Sequence, residues 1–225
     1  DPMPATFTRC YTPIKGRVAR ITVLDSCGLP VTGSSGSQII IAGFTQATSS
    51  AQYETGERTV TRTADDALCV NDKAPDILTN FELDMLFCLI DPGLVANTVS
   101  PARLLTSSES PTGTGFAIAE GAATLHWSLE IWQRVAGTEA CIGGTTRYVY
   151  NAWPHLADGK LGDYLISSAP SVLEIQANSL PVNPGWTLGN TWLGSGAVTI
   201  VPDHWFQNLT TAAPPTAACG IQVPA

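Results

Sequence analysis

The sequence predicts an all-β protein with one short α-helix. Three observations lead to this fold class. Segments in which apolar and polar residues alternate with a period of two recur along most of the 225 residues. Gly and Pro, at 20 and 16 residues, supply many turns between those segments. Charged residues make up only 13% of the chain, about half the usual share, which is typical of a neutral polar surface or of a surface covered by partners.

The first strands are predicted between residues 16 and 63. Residues 16–25 and 37–46 alternate as strands do, and 57–63 alternates Thr with basic and apolar residues, as an exposed or lumenal strand would. The stretch ATSSAQYETG that joins the last two segments is small and polar. We therefore predict a long hairpin over 37–63 with a mobile tip.

A further strand is predicted where the sequence reads NFELDMLFCLIDP, at 80–92. One face of this strand is apolar throughout. The other face begins with the acids Glu82 and Asp84 and becomes apolar near Cys88, which we expect to pack as a small hydrophobic residue. Asp91 at an N-cap and Pro92 at the first helical position then predict a short helix over 92–100. Every second residue of the strand is apolar and is predicted to face the core: Phe81, Leu83, Met85, Phe87 and Leu89.

The second half of the chain is predicted to contain four more strands. Residues 105–115 have the composition of a loop. Pro154 is expected to close one strand, and Asp158-Gly159 is predicted to form a tight hairpin turn before the next. The four alternating segments lie at 123–135, 147–156, 160–167 and 171–180.

The end of the sequence predicts a tail and no further folded element. From Pro181 onward the chain is rich in Pro, Gly and Trp, and it closes with LTTAAPPTAACGIQVPA. We therefore divide the chain into a single β-domain at 1–209 and an extended C-terminal arm at 210–225.

Composition disfavours several classes of function. The formal net charge is −8, from 11 basic and 19 acidic residues, and no basic run supplies the clustered cations that nucleic-acid binding normally uses. No apolar run reaches the ~18 residues of a transmembrane helix, and the first ten residues lack the basic and apolar regions of a signal peptide. The six cysteines form no CxxC pair, so we expect mostly free thiols and no metal site.

Candidate catalytic residues have simpler structural explanations. Glu130, flanked by Trp127 and Trp132, is the best candidate acid of a glycosidase, but it is more simply the outward residue of an ordinary strand. Glu82 and Asp84 would lie ~7 Å apart on one strand face, where a solvated surface is the commoner explanation. The three histidines lie outside metal-binding motifs, and the GxSxG motif is missing. We predict no catalytic, metal-binding or cofactor-binding residue.

Six tryptophans all fall in the second half of the chain. We expect them to pack in the core and in subunit interfaces, because stacking on nucleic-acid bases would need a basic groove. They also keep a second hypothesis open, a monomeric β-sandwich that binds carbohydrate through its tryptophans, with a glycosidase as the third.

Six segments occur in an order that resembles a known family. The resemblance is to the major tail proteins, or tail tube proteins, of long-tailed, non-contractile phages of actinobacteria, and it covers most of the chain. The ordered set carries the resemblance, since no single motif decides it. The segments are RVARITVLDSCGLPVTG (17–33), GERTVTRTADDALCVND (56–72), NFELDMLFCLIDPGLV (80–95), SLEIWQRV (128–135), RYVYNAWPHLADGKLGDYLIS (147–167) and AACG (217–220).

The resemblance implies a β-sandwich or barrel of the phage tail tube type, with a flanking short helix. Six copies would close into a ring, and stacked rings would form a tube through which the genome leaves. It implies a virion protein of the tail, assembled in the cytoplasm of the host bacterium, with no enzymatic activity, no cofactor and no membrane. The implied partners are further copies of itself, tail terminator and tail tip proteins, and, inside the tube, the tape measure protein and genomic DNA without sequence-specific binding.

Two groups of candidate residues follow from this resemblance. The hairpin at 37–63 would help stack one ring on the next, and the flexible ends would bridge neighbouring copies. An acidic lumen would repel phosphates, so that DNA slides; the sequence leaves open which acids face it. The candidate lumen or rim acids are Glu82, Asp84, Glu57 and Asp65. The candidate stacking residues are Gln46, Tyr53, Glu54 and Arg58.

Overall fold

The computed structural model describes residues 11–31, 37–105, 108–109, 115–121, 124–142, 144–164, 172–182 and 203–222. Within them the chain is mostly β-strand, with one short α-helix and one turn of 3-10 helix at Gly137–Ala140, so the predicted all-β fold with one short helix is confirmed. The helix is α1 (Pro92–Thr98). The strands are β1 (Thr12–Leu24), β2 (Gln38–Ile41), β3 (Phe44–Glu54), β4 (Arg58–Arg62), β5 (Leu68–Lys73), β6 (Ile77–Phe87), β7 (Ala102–Leu104), β8 (Phe116–Ile118), β9 (His126–Ala136), β10 (Cys141–Ile142), β11 (Thr145–Thr146), β12 (Tyr148–Tyr164), β13 (Leu173–Ser179), β14 (Phe206–Thr210) and β15 (Ala218–Gln222).

The largest unit is a nine-stranded antiparallel sheet. Its strand order is β15-β2-β1-β9-β12-β13-β6-β3, and β14 and β13 pair with successive halves of the same edge of β12. The longest ladder joins β1 to β9, from Thr12 opposite Ala136 to Leu24 opposite His126. Strands β4 and β5, β7 and β8, and β10 and β11 form three separate two-stranded units.

The sheet curls so that its two ends approach each other. Phe44, at the start of the end strand β3, packs against Gly16 in β1, where a Cβ atom would overlap the Phe44 ring. The glycine therefore allows a close contact between strands that lie far apart in the strand order. The main core that the curled sheet and α1 enclose includes Ile21, Ile39, Leu83, Met85, Phe87, Leu94, Leu129, Leu156 and Ile175.

Strand β9 is buried on both faces. Trp127, Leu129 and Ile131 point into the main core. Trp132, on the opposite face, belongs to a second cluster. The expectation that Glu130 faces outward is therefore wrong, because this second cluster covers its side of the strand. The second cluster comprises Leu24, Trp132, Tyr148, Tyr150, Ala152 and Val182.

Strand β6 has the predicted register over most of its length. Leu83, Met85 and Phe87 are buried and Phe81 is half-buried, whereas Glu82 is exposed. Two expectations fail because the strand ends at Phe87: Leu89 is 45% exposed, and Cys88 is exposed and donates its thiol hydrogen to the Gly43 carbonyl at 3.0 Å. The predicted helix follows, with the Asp91 carboxylate accepting a bond from the Gly93 N–H at 2.8 Å.

The C-terminal arm contains a strand that the sequence did not predict. Residues 211–217 form neither helix nor strand, but β15 pairs with β2, with Ala218 opposite Ile40. The second carboxylate oxygen of Asp91 accepts a bond from the Gly220 N–H at 2.7 Å. The arm is therefore folded over Ala218–Gln222, because the core offers it both a strand edge and a buried acceptor.

The predicted hairpin over 37–63 is wrong in its partners. A bend at Ala42–Gly43 divides 37–46 into β2, which pairs with β1, and β3, which pairs with β6. The stretch ATSSAQYETG, predicted as a tip, supplies most of β3. The real hairpin is a long ribbon over 44–87, in which β4 and β5 extend β3 and β6 to a turn at 63–67.

Strand β12 corrects two further predictions. It runs without interruption through Pro154 and through Asp158-Gly159, so neither a strand end nor a hairpin turn occurs there. Asp158 has φ of +55°, and the register with β13 shifts between Ala157 and Lys160. A Cβ at Gly159 would overlap the Thr98 carbonyl of α1. The Asp-Gly pair therefore forms a bulge that lets β12 pass close to the helix.

Other predictions divide between described and undescribed residues. Most of the loop at 105–115 and the Pro- and Trp-rich stretch at 183–202 lie outside the described residues.

Among the described cysteines, Cys69, Cys88 and Cys141 are free thiols, which confirms the expectation for these three. Trp127, Trp132 and Trp153 are buried as expected. Within the residues described, no helix has the length and apolar character needed to span a bilayer.

Candidate functional site

The candidate acids Glu82 and Asp84 lie on the outward face of β6. The partners of β6 place polar side chains around them: Ser50 and Asn178 lie opposite Glu82, and Thr48 and Gln176 lie opposite Asp84. The Glu82 carboxylate accepts a bond from Gln52 Nε2 at 2.8 Å. We name this surface of β3, β6 and β13 the acidic face; its acids are Glu82, Asp84 and Glu174.

The other two candidate acids do not belong to the acidic face. Glu57 lies between β3 and β4, and Asp65 lies in the turn at the end of the ribbon. The hydroxyl of Thr63 donates to Asp65, and this hydrogen bond lowers the pKa of the Asp65 carboxyl. The structure therefore separates the four candidates into a pair on the main sheet and two exposed acids in the part of the ribbon that extends beyond that sheet.

The candidate stacking residues are spread along the ribbon. Gln46 lies near its base, Tyr53 and Glu54 end β3, and Arg58 begins β4. They span roughly 40 Å at ~3.3 Å per residue, so they form no single site. Arg58 Nε donates to Asn71 Oδ1 across the ribbon at 2.9 Å, and Tyr53 is 63% exposed.

The outer half of the ribbon has no layer packed on it among the described residues. Every residue of β4 and β5 is exposed, including Val60, Leu68 and Val70. Opposed pairs share a face, so Arg58 lies beside Lys73 on one face, and Thr59 beside Asp72 on the other. Both faces therefore mix charged and apolar side chains, and the apolar Val60, Leu68 and Val70 are uncovered in the single chain.

Strand β3 leaves one edge open. It pairs with β6 along one side, and no strand within the described residues pairs with its other side. Residues 46–52 run regularly between two irregularities in the pairing, and β3 has no charged residue before Glu54. An edge without Lys, Pro or inward charges lacks the usual protection against pairing with another chain.

The best candidate catalytic acid, Glu130, has no exposed surface. Its two carboxylate oxygens accept bonds from Arg20, at 2.6 Å from Nε and 3.0 Å from Nη2, and the Tyr150 hydroxyl donates to the same group. The Arg20 guanidinium lies 5.2 Å from the centre of the Trp132 ring. Burial raises the pKa of Glu130, and Arg20 opposes that shift. A carboxylate enclosed in this way cannot touch a substrate, so its role is structural.

Two of the three histidines are in contact. Nδ1 of His126 lies 2.8 Å from Nε2 of His155, and Nδ1 of His155 faces the Pro181 carbonyl at 3.3 Å. A Cβ at Gly28, in the turn after β1, would come within 2.9 Å of the His155 ring. The pair thus joins β9, β12, this turn and the segment after β13. Among the described residues, no group of three or more His, Cys, Asp or Glu could hold a metal ion.

A cavity of about 480 Å³ lies between the base of β3 and the inner faces of β9, β12 and β14. Trp153 and Trp205 stack there, with ring centres 6.2 Å apart and an interplanar angle of 23°. Gln207 Nε2 donates to Asn151 Oδ1 at 2.8 Å, and Asn151 Nδ2 donates to Gln133 Oε1 at 3.1 Å. We call this cavity the aromatic–amide pocket; its aromatic and amide residues are Phe44, Phe81, Trp153, Trp205, Gln46, Gln133, Asn151 and Gln207.

Sequence reasoning missed the aromatic–amide pocket. One signal was present, because Gln133 is the polar end of the otherwise apolar row of β9. The pocket also needs Gln207 opposite Asn151 and the curl that brings Phe44 to Gly16, and neither pairing can be inferred from local alternation. No protein-family model matches the chain, and no curated protein sequence matches it either.

Proposed function

We propose that this protein is a structural subunit of a phage tail tube, which assembles from identical copies into stacked rings. In this role it has no catalytic centre, and its partners are further copies of itself, with the genome passing through the tube. The proposal begins from the ordered resemblance of the sequence segments. It draws its physical support from surfaces that are suited to polymerisation.

The observation that carries the proposal is the open edge of β3. Seven regularly placed residues, 46–52, offer backbone groups to a further strand, and none of their side chains is charged. Monomeric β-proteins usually protect such an edge with charge, proline or a covering element. In a closed ring, a strand of the next copy would cover it, and no edge would remain open around the circumference.

Two further surfaces agree with this role. The ribbon of β4 and β5 lies outside the main sheet and is exposed throughout, so it is available to reach a copy in the next ring. The acidic face could line the lumen, where Glu82, Asp84 and Glu174 would repel DNA phosphates. Since the chain carries a formal charge of −8, a tube of many copies would present a strong negative potential to the genome.

Assembly of the purified protein tests the proposal. Sedimentation velocity at rising concentration and negative-stain microscopy should show rings or long tubes. A strictly monomeric species under all assembly conditions would contradict the proposal and favour the monomeric carbohydrate-binding module.

A matched pair of substitutions tests the edge itself. Ser50→Lys places a positive charge on the edge strand β3, whereas Gln176→Lys places the same charge on the same sheet face, on the internal strand β13. We expect Ser50→Lys to raise the concentration needed for assembly at least about tenfold, because the charge must be buried or displaced when the edge pairs. Gln176→Lys should assemble like the parent. Equal effects of the two substitutions would show that β3 is not the assembly edge.

A further inference from the structure

The aromatic–amide pocket offers flat apolar surfaces at its wall. Trp205 stacks on Trp153 and lies 6.2 Å from the Phe81 ring, yet it is still 41% exposed. Trp153 forms the buried floor beneath it. An indole face of this kind binds rings that present C–H groups, and its rigidity lowers the entropic cost of holding them.

The same pocket offers a directional chain of neutral amides. Gln207 donates to Asn151, which is buried, and Asn151 donates to Gln133. Each amide has two N–H donors and a carbonyl oxygen that can accept two bonds. The chain therefore leaves N–H donors at Gln133 and one acceptor position at Gln207, whose Oε1 already accepts a bond from the Tyr11 hydroxyl at 3.3 Å. Each glutamine shares one hydrogen bond with the buried Asn151, and that bond fixes the orientation of its amide group. Fixed donors and acceptors of this kind recognise hydroxyl groups, which both donate and accept.

The lining also selects against charge. Among the described residues that line the pocket, none is Asp, Glu, Lys, Arg or His. A charged ligand would lose its hydration there without gaining a counter-charge, which is costly. The volume of about 480 Å³ lies within the range of small-molecule sites. Apolar ring faces, neutral amides and an absence of charge together describe a site for a neutral polyhydroxylated ring.

We propose that the aromatic–amide pocket binds a neutral saccharide. Trp205 stacks on one face of a sugar ring, and Gln133 and Gln207 bond to its hydroxyl groups. Gln46, Ala47 and Ser49 of β3 also line the pocket, so the site borders the open edge but lies apart from the outer ribbon. The saccharide therefore binds the unassembled subunit, and binding is measured below the concentration at which the protein assembles. The site adds a ligand to a protein whose other surfaces serve contacts between copies.

Calorimetric titration with soluble sugars tests the site. The probes are glucose, N-acetylglucosamine, maltose, cellobiose and lactose, with glucuronic acid as the charged counterpart of glucose. We expect saturable binding of at least one neutral sugar, and glucuronic acid should bind more weakly than glucose. No saturable binding across the panel, or tighter binding of glucuronic acid than of every neutral sugar, would overturn the proposal.

Variants assign the binding to the pocket. Trp205→Ala and Gln207→Ala should each weaken binding at least about tenfold, and both residues are exposed enough that the fold should persist. Gln176→Ala removes an exposed glutamine from β13, outside the pocket, and should bind like the parent. Unchanged binding by both pocket variants would overturn the proposal. The proposal would also be overturned if crosslinking showed that a second copy of the chain occupies the pocket and excludes the sugar.

Discussion

Phe87 shows how far the alternating pattern of β6 determines a single side chain. It is completely buried, and it lies opposite Leu173 on one neighbouring strand and Phe44 on the other. Leu89, two residues later in the same predicted row, is 45% exposed because the strand has ended. The sequence pattern was right about the periodicity and wrong about where it stops.

This difference gives a matched stability test. Phe87→Ala should lower the free energy of unfolding by about 3–5 kcal/mol, because it removes a core side chain and leaves a cavity. Leu89→Ala should change it by less than about 0.5 kcal/mol. Urea unfolding followed by tryptophan fluorescence measures both. An unchanged midpoint for Phe87→Ala would mean that the register of β6 is wrong.

Glu130 was the residue for which sequence reasoning and structure differed most. Its neighbours Trp127 and Trp132 suggested a sugar site, and alternation suggested an outward position. Neither explanation holds, because the Arg20 and Tyr150 that bind its carboxylate come from other strands. A contact between residues 110 positions apart leaves no local trace in the sequence.

Breaking this pair should be costly. Glu130→Gln removes the buried carboxylate charge that pairs with Arg20, and we expect a loss of about 3–5 kcal/mol. Glu109→Gln affects a surface pair, in which Arg103 Nη2 lies 2.6 Å from Glu109 Oε1, and should cost far less, because solvent screens an exposed ion pair. Urea unfolding compares the two. If Glu130→Gln costs no more than Glu109→Gln, Arg20 is not held by a buried carboxylate.

At the scale of the elements, local patterns predicted strands well and their partners poorly. β1, β6, β9, β13 and α1 lie where periodicity and the Asp91-Pro92 cap placed them. The stretch ATSSAQYETG has the composition of a loop. Most of it nevertheless forms a strand, because it pairs along β6. Asp158-Gly159 became a bulge because α1 approaches β12 there. In each case a tertiary contact overrode a local preference.

The histidine contact between β9 and β12 predicts a pH dependence. Burial lowers the pKa of His155, with the neighbouring His126 adding to the effect and the Pro181 carbonyl opposing it. The unfolded chain, with a histidine pKa of ~6.5, therefore binds a proton that the folded chain does not. Stability is then complete above pH ~6.5 and falls as the pH is lowered through that value, by at most ~1.4 kcal/mol per pH unit for this group.

Substitution isolates this contribution. His155→Gln should flatten the loss of unfolding free energy between pH 6.5 and 5, as measured by urea unfolding at several pH values. His204, whose pKa burial also lowers, should still contribute in the variant. The slope in His204→Gln provides the comparison. An unchanged slope in His155→Gln would show that burial of the His155 ring beside His126 does not suppress its protonation.

At the scale of the whole molecule, charge is unevenly placed. The ribbon residues 54–76 contain six acids and three bases, a net charge of −3, while the acidic face adds Glu82, Asp84 and Glu174. In the proposed tube, one of these surfaces faces the genome. Sequence reasoning named candidate acids on both surfaces. It could not decide which of them face the lumen, because that depends on how copies are arranged.

Neutralisation distinguishes the two surfaces. Glu82→Gln with Asp84→Asn should leave assembly intact, and the resulting tubes should retain more double-stranded DNA at low salt, because less charge repels it. Glu57→Gln with Asp65→Asn makes the same change in net charge on the ribbon and should retain DNA like the parent. Filter binding after microscopy gives both results. Failed assembly of the first variant would place those acids in an interface between copies.

The strand order also has a consequence for how the chain reaches its fold. Ile40 pairs with Ala218 and Thr12 with Ala136, so much of the sheet joins residues that are far apart in sequence, and such topologies fold slowly. The ribbon over 44–87 instead pairs strands that are neighbours in sequence, as do β1 with β2 and β12 with β13. We expect the ribbon to form early. The open edge of β3 is then exposed before β1 has paired with β9. Completion of the fold and aggregation through this edge then compete for the same partly folded chains. Dilution during refolding should therefore favour folded subunits over aggregates.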